Sequence, residues 1–280
     1  MKTAIALGTF DGLHKGHVAV LEKALPFNSI AVTFLVPPKN IISGKPQLLI
    51  LPDDRKRRIE GLGINHVVMQ DFNDVRNIEA LDYLENLRKE YSPSRIVCGF
   101  NYRFGKNALG DTELLSNFCK EYNIEFCCVE PQCDGENVIS STAIRSYIKN
   151  GDIKRASSLL YGGFSFTENV LHGDARGRTI GYPTANQIYP EILVKPKFGV
   201  YMSRVTVDNV NYDAITNIGV RPTYKTDTVG CETYIRDFCG DIYGKQMKTE
   251  LISFVREEQK FNSLEQLKLA ISNDVSLLDK

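Results

Sequence analysis

The first half of the chain concentrates its chemistry in Gly8-Thr9-Phe10-Asp11-Gly12-Leu13-His14-Lys15-Gly16-His17. An apolar run over residues 3–7 leads into it, and helical spacing begins at Gly16. Gly8 lets the backbone approach a ligand closely, and Gly12 and Gly16 permit turn angles closed to other residues. The helix that follows points free N–H groups and its positive end back at the turn, which suits phosphate. His14 and His17 are three apart and share a helical face. Two imidazoles there can donate to a phosphoryl group as charge moves onto a departing pyrophosphate. No protein nucleophile is required if a second substrate's own phosphate attacks.

A second dense segment runs from Gly173 to Asn186. Glycines at 173, 177 and 181 let successive backbone N–H groups wrap an anion. Thr184 can ligate magnesium through its hydroxyl and Asn186 through its amide oxygen, hard donors that suit that ion. The bland alternative is a hairpin loop of ordinary turn residues. Between the two segments, Ser141 and Thr142 offer hydroxyls that bind phosphate or cap a helix. Arg145 adds a forked cation for a polyphosphate.

These residues need a frame. Strand-like runs at 3–7, 29–34, 66–70, 94–98 and 125–130 alternate with helical spacing at 16–25, from Pro52 onward, at 77–91 and at 112–122. That alternation predicts a parallel sheet covered on both faces, with a ligand at the carboxyl ends of its strands. Val18, Leu21 and Leu25 are the expected core face of the first helix, and Ile78, Leu81, Leu84 and Leu87 that of the helix at 77–91. The basic run Arg55-Lys56-Arg57-Arg58 reads as a solvated helix face. Beyond Tyr161-Gly162-Gly163 the pattern changes to short alternating runs at 164–171, 199–207, 212–218, 232–238 and 248–255, the signature of a barrel or sandwich. A final helix is expected over 263–278, capped by Ser263 with Gln266 three residues on. Two domains follow, 1–160 and 161–280.

Bulk properties exclude other classes. Basic and acidic residues balance at 34 each, so the whole-chain charge favours neither nucleic acid nor membrane partners. No apolar stretch approaches the length of a membrane span, and the start is too short for a signal peptide. The seven cysteines are odd in number and lack CxxC spacing, which predicts reduced thiols in the cytoplasm. A metal site on Cys127, Cys128 and Cys133 lacks the paired spacing of zinc centres.

The segment from Gly8 to His17 resembles the signature of nucleotidyltransferases with an HxGH motif. Its fuller form resembles the bifunctional bacterial riboflavin kinase/FAD synthetase family. Gly99-Phe100-Asn101-Tyr102-Arg103-Phe104-Gly105 and Ile139-Ser140-Ser141-Thr142-Ala143-Ile144-Arg145 are similar to two further motifs of that family. So are Gly177-Arg178-Thr179-Ile180-Gly181-Tyr182-Pro183-Thr184-Ala185-Asn186, Asn217 to Thr223, Glu232 to Phe238, and Arg256 to Phe261. The resemblance implies a Rossmann-like α/β adenylyltransferase domain followed by a mainly-β riboflavin kinase barrel with a C-terminal helix. It implies ATP and magnesium, with riboflavin, FMN and FAD as substrates and products. Gly8, Phe10, Asp11, Asn101, Ser141 and Thr142 would bind nucleotide or flavin phosphate, with His14, His17 and Arg145 at the reacting phosphoryl group. Gly173, Gly177, Arg178 and Gly181 would cradle ATP in the second domain, Thr184 and Asn186 would hold the metal, and Glu232 would be the general base. Arg256 would contact flavin. The chain departs from the family at Leu35 and Pro37, where an acid and a histidine are usual. A riboflavin kinase with weak or lost adenylyltransferase activity, or a flavin-binding regulator without turnover, would share most of these motifs.

Overall fold

The computed structural model describes residues 2–173, 177, 181–220 and 228–279. The chain divides into two compact units. Residues 1–143 with 159–161 form the first, and residues 144–158 with 162–280 form the second.

The first unit contains β1 (Thr3–Leu7), α1 (Lys15–Glu22), β2 (Asn28–Phe34), α2 (Pro38–Ile42), α3 (Pro52–Gly61) and β3 (His66–Gln70). It continues with α4 (Phe72–Val75), α5 (Ala80–Tyr91), β4 (Arg95–Gly99), α6 (Thr112–Glu121), β5 (Glu125–Val129) and the small ribbon β6 (Cys133–Asp134) and β7 (Asn137–Val138). The five long strands form one sheet in the order β3-β2-β1-β4-β5, every pair parallel. Strand order reverses between β1 and β4, so the turns leaving these two strands border the crevice where ligands bind in such sheets.

Alternation along β1 explains the layering. Ile5 and Leu7 join Ile96, Cys98, Leu84 and Phe118 in one core. Ala4 and Ala6 face the other way and meet Val20, Leu21, Phe10 and Leu13. Small alanines on that face let α1 and its leading turn lie close to the sheet. The buried faces match the expected ones in part. In α1 they are Val20 and Leu21, with Leu25 beyond the helix and exposed. The helix at 77–91 begins only at Ala80, so Tyr83, Leu84 and Leu87 turn inward and Leu81 faces solvent. The basic run on α3 is divided: Arg55 is fully buried, whereas Lys56 and Arg57 are exposed.

Helix α7 (Ser141–Lys149) spans the division between the units, and α8 (Ile153–Leu159) follows it. The second unit is built on β8 (Phe164–Asn169), β9 (Thr184–Ile188), β10 (Gly199–Val207), β11 (Val210–Val220), β12 (Val229–Ile235) and β13 (Gln246–Arg256), with α9 (Leu264–Ser276) at the end. These strands form an antiparallel sheet in the order β8-β13-β10-β11-β12-β9. The sheet curls until its edges meet: the Leu171 N–H donates to the Asn186 carbonyl at 2.7 Å. Inside, Gln187 donates to the Glu168 and Met247 carbonyls at 2.8 and 2.7 Å and accepts from the Thr249 hydroxyl at 2.8 Å. A buried hydroxyl chain links Ser203, Thr216 and Thr233 at 2.7 and 3.0 Å. Strand β9 escaped the sequence pattern because glycine-rich turns precede its short, polar-looking run.

Ser263 caps α9, accepting from the Gln266 N–H at 3.3 Å. Gln266 reaches back to the Asn262 N–H at 3.1 Å, one residue beyond the usual capping box. Leu267, Ala270 and Ile271 are half-buried as the spacing expects, whereas Leu264 is exposed.

Candidate functional sites

The turn after β1 is held open by unusual backbone. Gly12 has φ +87°, and Phe10 and Leu13 also lie in the left-handed region at 46° and 48°. A side chain on Gly8 would stand 2.7 Å from the Phe10 ring, so the ring packs on bare backbone. His14 is the N-cap of α1, which has no side-chain cap and no acid in its first turn. The helix end therefore keeps N–H groups and positive potential for an anion. The imidazoles of His14 and His17 stack at 3.6 Å between centroids, with Phe10 edge-on to His17 at 5.6 Å. Stacking on a buried ring fixes both imidazoles on one side of the turn.

Asp11 lies beneath this surface. It is 1% exposed, and its Oδ1 accepts from the Leu49 N–H at 2.8 Å. The Asp11 carbonyl accepts from the Ser141 hydroxyl at 3.1 Å, which ties the start of α7 to the turn. Ser140 caps α7 through the Ala143 N–H at 3.2 Å, leaving Thr142 exposed on the first turn. Arg145 follows Ser141 by four residues and shares its helix face. Asn101 is exposed just beyond the end of β4. Its loop is closed by Phe104 and Gly110, which exchange backbone bonds of 3.1 and 2.9 Å. Leu35 is 42% exposed at the end of β2, and Pro37 is buried.

In the second unit, strand register assembles the other set. Asn186 lies opposite Glu232, and Glu232 opposite Asn217 on its far side. Thr184 lies opposite Tyr234 two residues along the same face. Thr184, Asn186 and Glu232 are thus neighbours on one patch of sheet, with Asn186 8% exposed and Glu232 exposed. A Cβ on Gly173 would fall on the Asn186 carboxamide, so that amide lies directly on the Gly173 backbone. Gly177 is in similar contact with the Tyr182 carbonyl, and the Tyr182 N–H returns a bond to the Gly177 carbonyl at 2.8 Å. Gly181 turns at φ +85°. Arg178 lies outside the described residues, as do residues 174–176 and 221–227. Arg256 ends β13 and forks onto Asp274 of α9, with Nε at 3.0 Å and Nη2 at 2.8 Å.

Thr184, Asn186 and Glu232 present only oxygen donors with one negative charge, and the Gly173 cradle fixes the Asn186 amide. This set fits magnesium, a hard cation that keeps several waters. Among the described residues no cluster of three His, Cys, Asp or Glu could hold a metal, and Cys98, Cys119, Cys127, Cys128, Cys133, Cys231 and Cys239 are all free thiols.

One residue of these surroundings carried no functional signal in sequence: Arg55 hides in a basic run that reads as solvated. Asn217, which opens one of the family-like segments, is set beside Glu232 by strand register. The Asn217 amide donates to Glu258 at 3.2 Å, and its buried Oδ1 has no hydrogen-bond partner among the described residues.

Two family models match the chain: FAD synthetase over residues 1–143 and riboflavin kinase over 161–280. The chain is 31% identical to a Bifunctional riboflavin kinase/FMN adenylyltransferase of Listeria monocytogenes, over 96% of its own length and 89% of the relative. The protein of that name from Bacillus subtilis is also 31% identical, over 98% of this chain and 90% of the relative. The Trifunctional protein RibF/MnmA of Mycoplasmoides gallisepticum is 34% identical over 96% of this chain, which spans only 38% of that longer protein. A crystal structure from Streptococcus pneumoniae, described as a macrolide-efflux protein, superposes with a TM-score of 0.88 at 31% identity, over 99% of this chain and 93% of the other. No helix among the described residues of this chain is long and apolar enough to cross a membrane. With motifs, fold and near-full-length relatives in agreement, the chain belongs to the bifunctional riboflavin kinase/FMN adenylyltransferase family, whose activities lead from riboflavin through FMN to FAD.

Proposed function

We propose that the chain divides these activities between residues 1–160, which adenylylate FMN, and residues 161–280, which phosphorylate riboflavin. The observation that carries the kinase assignment is the Asn186–Glu232 register pair, which sets a carboxylate beside two neutral oxygen ligands. A riboflavin hydroxyl is a poor nucleophile near neutral pH and needs a proton acceptor. Glu232 takes the proton of the 5′-hydroxyl as that oxygen forms its bond to the γ-phosphorus of ATP, and ADP leaves. Magnesium, held by Thr184 and Asn186, supplies positive charge for the triphosphate when bound. Gly173, Gly177, Arg178 and Gly181 wrap the phosphates, and Arg256 contributes on the flavin side.

In the first unit an FMN phosphate oxygen attacks the α-phosphorus of ATP, and pyrophosphate leaves. His14 and His17 donate to the phosphoryl oxygens. Gly8, Phe10, Asp11, Asn101, Ser141 and Thr142 shape and bind the nucleotide end. This site works by positioning and electrostatics. The balanced charge and the odd number of cysteines without CxxC spacing support a cytoplasmic enzyme of small molecules, with no nucleic acid or membrane partner.

The test is incubation of the chain with riboflavin, ATP and magnesium, with FMN and FAD followed by chromatography. Both products are expected. FMN alone would favour a kinase with a weakened adenylyltransferase, the reading to which Leu35, exposed at the end of β2, lends support. Bound flavin with neither product would favour a regulator.

A further inference from the structure

Arg55 is the largest of the fully buried side chains among the described residues. It sits on α3, yet its guanidinium reaches the ends of two neighbouring strands. Nη1 donates to the Thr9 carbonyl at 3.4 Å, and Nη2 to the Leu35 carbonyl at 2.8 Å and to that of Phe34. The Thr9 carbonyl also accepts from the Thr33 hydroxyl at 2.8 Å. Burial lowers the Arg55 pKa to about 10 against the opposing pull of Asp11, so the side chain is a full cation at neutral pH. Asp11 in turn holds the Leu49 N–H, so one buried charge pair joins the β1 turn, the end of β2 and the segment before α3.

A guanidinium whose Nε is buried without an acceptor among the described residues is a poor device for stability alone. Its location suggests another use. Carbonyls at the carboxyl ends of parallel strands face the crevice where the ligand lies, and free carbonyl oxygens there repel phosphate. Thr9 belongs to the phosphate-binding turn itself.

We propose that Arg55 is a positioning residue for adenylyl transfer: it ties down the Thr9, Phe34 and Leu35 carbonyls so that the β1–α1 turn offers ATP its N–H groups. The inference rests on that turn being the adenylylation site. Arg55 touches no reacting atom in this role. It sets the direction of the main chain that does, and loss of the fork lets carbonyl oxygens turn toward the triphosphate.

The experiment compares Arg55→Met, Arg55→Lys and His17→Ala in the full chain. FAD formation from added FMN is measured over a range of ATP concentrations, and riboflavin phosphorylation serves as the internal control. Folding of the first unit is followed by thermal unfolding. Arg55→Met is expected to lower kcat/KM for ATP more than tenfold, with a raised KM and with riboflavin phosphorylation within twofold of the parent. Arg55→Lys keeps the charge but not the fork and should fall between threefold and tenfold. Should the methionine variant unfold, the lysine variant decides. Parent-like FAD formation in either folded variant overturns the proposal. So does a loss in kcat alone, at unchanged KM, that matches a loss of folded protein. If His17→Ala is also parent-like, the turn is not the adenylylation site and the underlying reading fails. If His17→Ala is inactive while Arg55→Met is unaffected, only the role of Arg55 fails.

Discussion

Glu232 stands directly opposite Asn186 across the ladder of β12 and β9. The two residues are far apart in sequence, and neither segment alone tells that their side chains meet. Antiparallel register makes them neighbours, with Thr184 on the same face two residues from Asn186. In the first unit the comparable relationship is local: His14 and His17 stack within one helical turn.

Separate sites predict separable losses. Glu232→Gln keeps the shape of the side chain and removes the proton acceptor. Loss of a general base costs about 10²–10⁴ in rate. FMN formation should fall by that order, while FAD formation from added FMN stays at the parent rate. His17→Ala should do the reverse. Chromatography of both flavins decides it. If either single change stops both reactions in folded protein, the assignment of the two sites is wrong.

The Gly173 cradle gives a sharper test of the metal site. A methyl group there falls on the Asn186 carboxamide, and the amide must rotate away. Gly173→Ala should therefore raise the magnesium concentration needed for half-maximal FMN formation, by about tenfold if one ligand is lost or misaligned. FAD formation should not change. A magnesium titration that superposes on the parent would mean that Asn186 is not a ligand.

How much of this was legible in sequence depended on the range of the interaction. The HxGH turn could be read because its glycines, histidines and helix start lie within ten residues. The parallel sheet followed from strands alternating with helices. The core face of α5 was legible at Leu84 and Leu87, both buried, whereas Leu81, in the first turn after the N-cap Glu79, faces solvent. Strand β9 was missed because edge pairing with β12, not its own composition, makes it a strand. Arg55 was misread for the same reason: nothing near it in sequence tells that the carbonyls of Thr9, Phe34 and Leu35 await it. The partner of Arg256 was equally hidden, since Asp274 lies in a helix that folds back from beyond a loop.

That last pair yields a stability prediction. Asp274 is 5% exposed, and Arg256 is its forked partner. Arg256→Ala would leave a buried carboxylate unpaired, at a cost of about 3 kcal/mol. Asp274→Asn should cost less, because the remaining guanidinium is closer to solvent and can rehydrate. Denaturant unfolding of the two variants measures the difference. A contact with flavin would show separately, as a raised KM for riboflavin in Arg256→Lys, which keeps the charge near Asp274. Equal stability of Arg256→Ala and the parent would refute the proposed role of the pair in holding α9.

The buried thiols make the stability of the first unit fall at alkaline pH. Desolvation raises the Cys98 thiol from 9.0 to about 12 and Cys119 from 9.0 to about 11. In the unfolded chain both ionise near the ordinary value. From about pH 9 upward the unfolded state releases protons that the folded state keeps, so stability must fall as pH rises. Below pH 9 both states hold these protons and the thiols contribute no slope. Urea midpoints for the first unit should therefore be flat through pH 7–8.5 and decline toward pH 10.5. Cys98→Ala should reduce the decline, although the cavity lowers stability at every pH. Thiol labelling offers a second check at pH 8. Exposed Cys133 and Cys239 should react in native protein, while Cys98 and Cys119 should need denaturant. Rapid native labelling of Cys98 would mean that its strand pairing opens more readily than its burial between β1 and β5 implies.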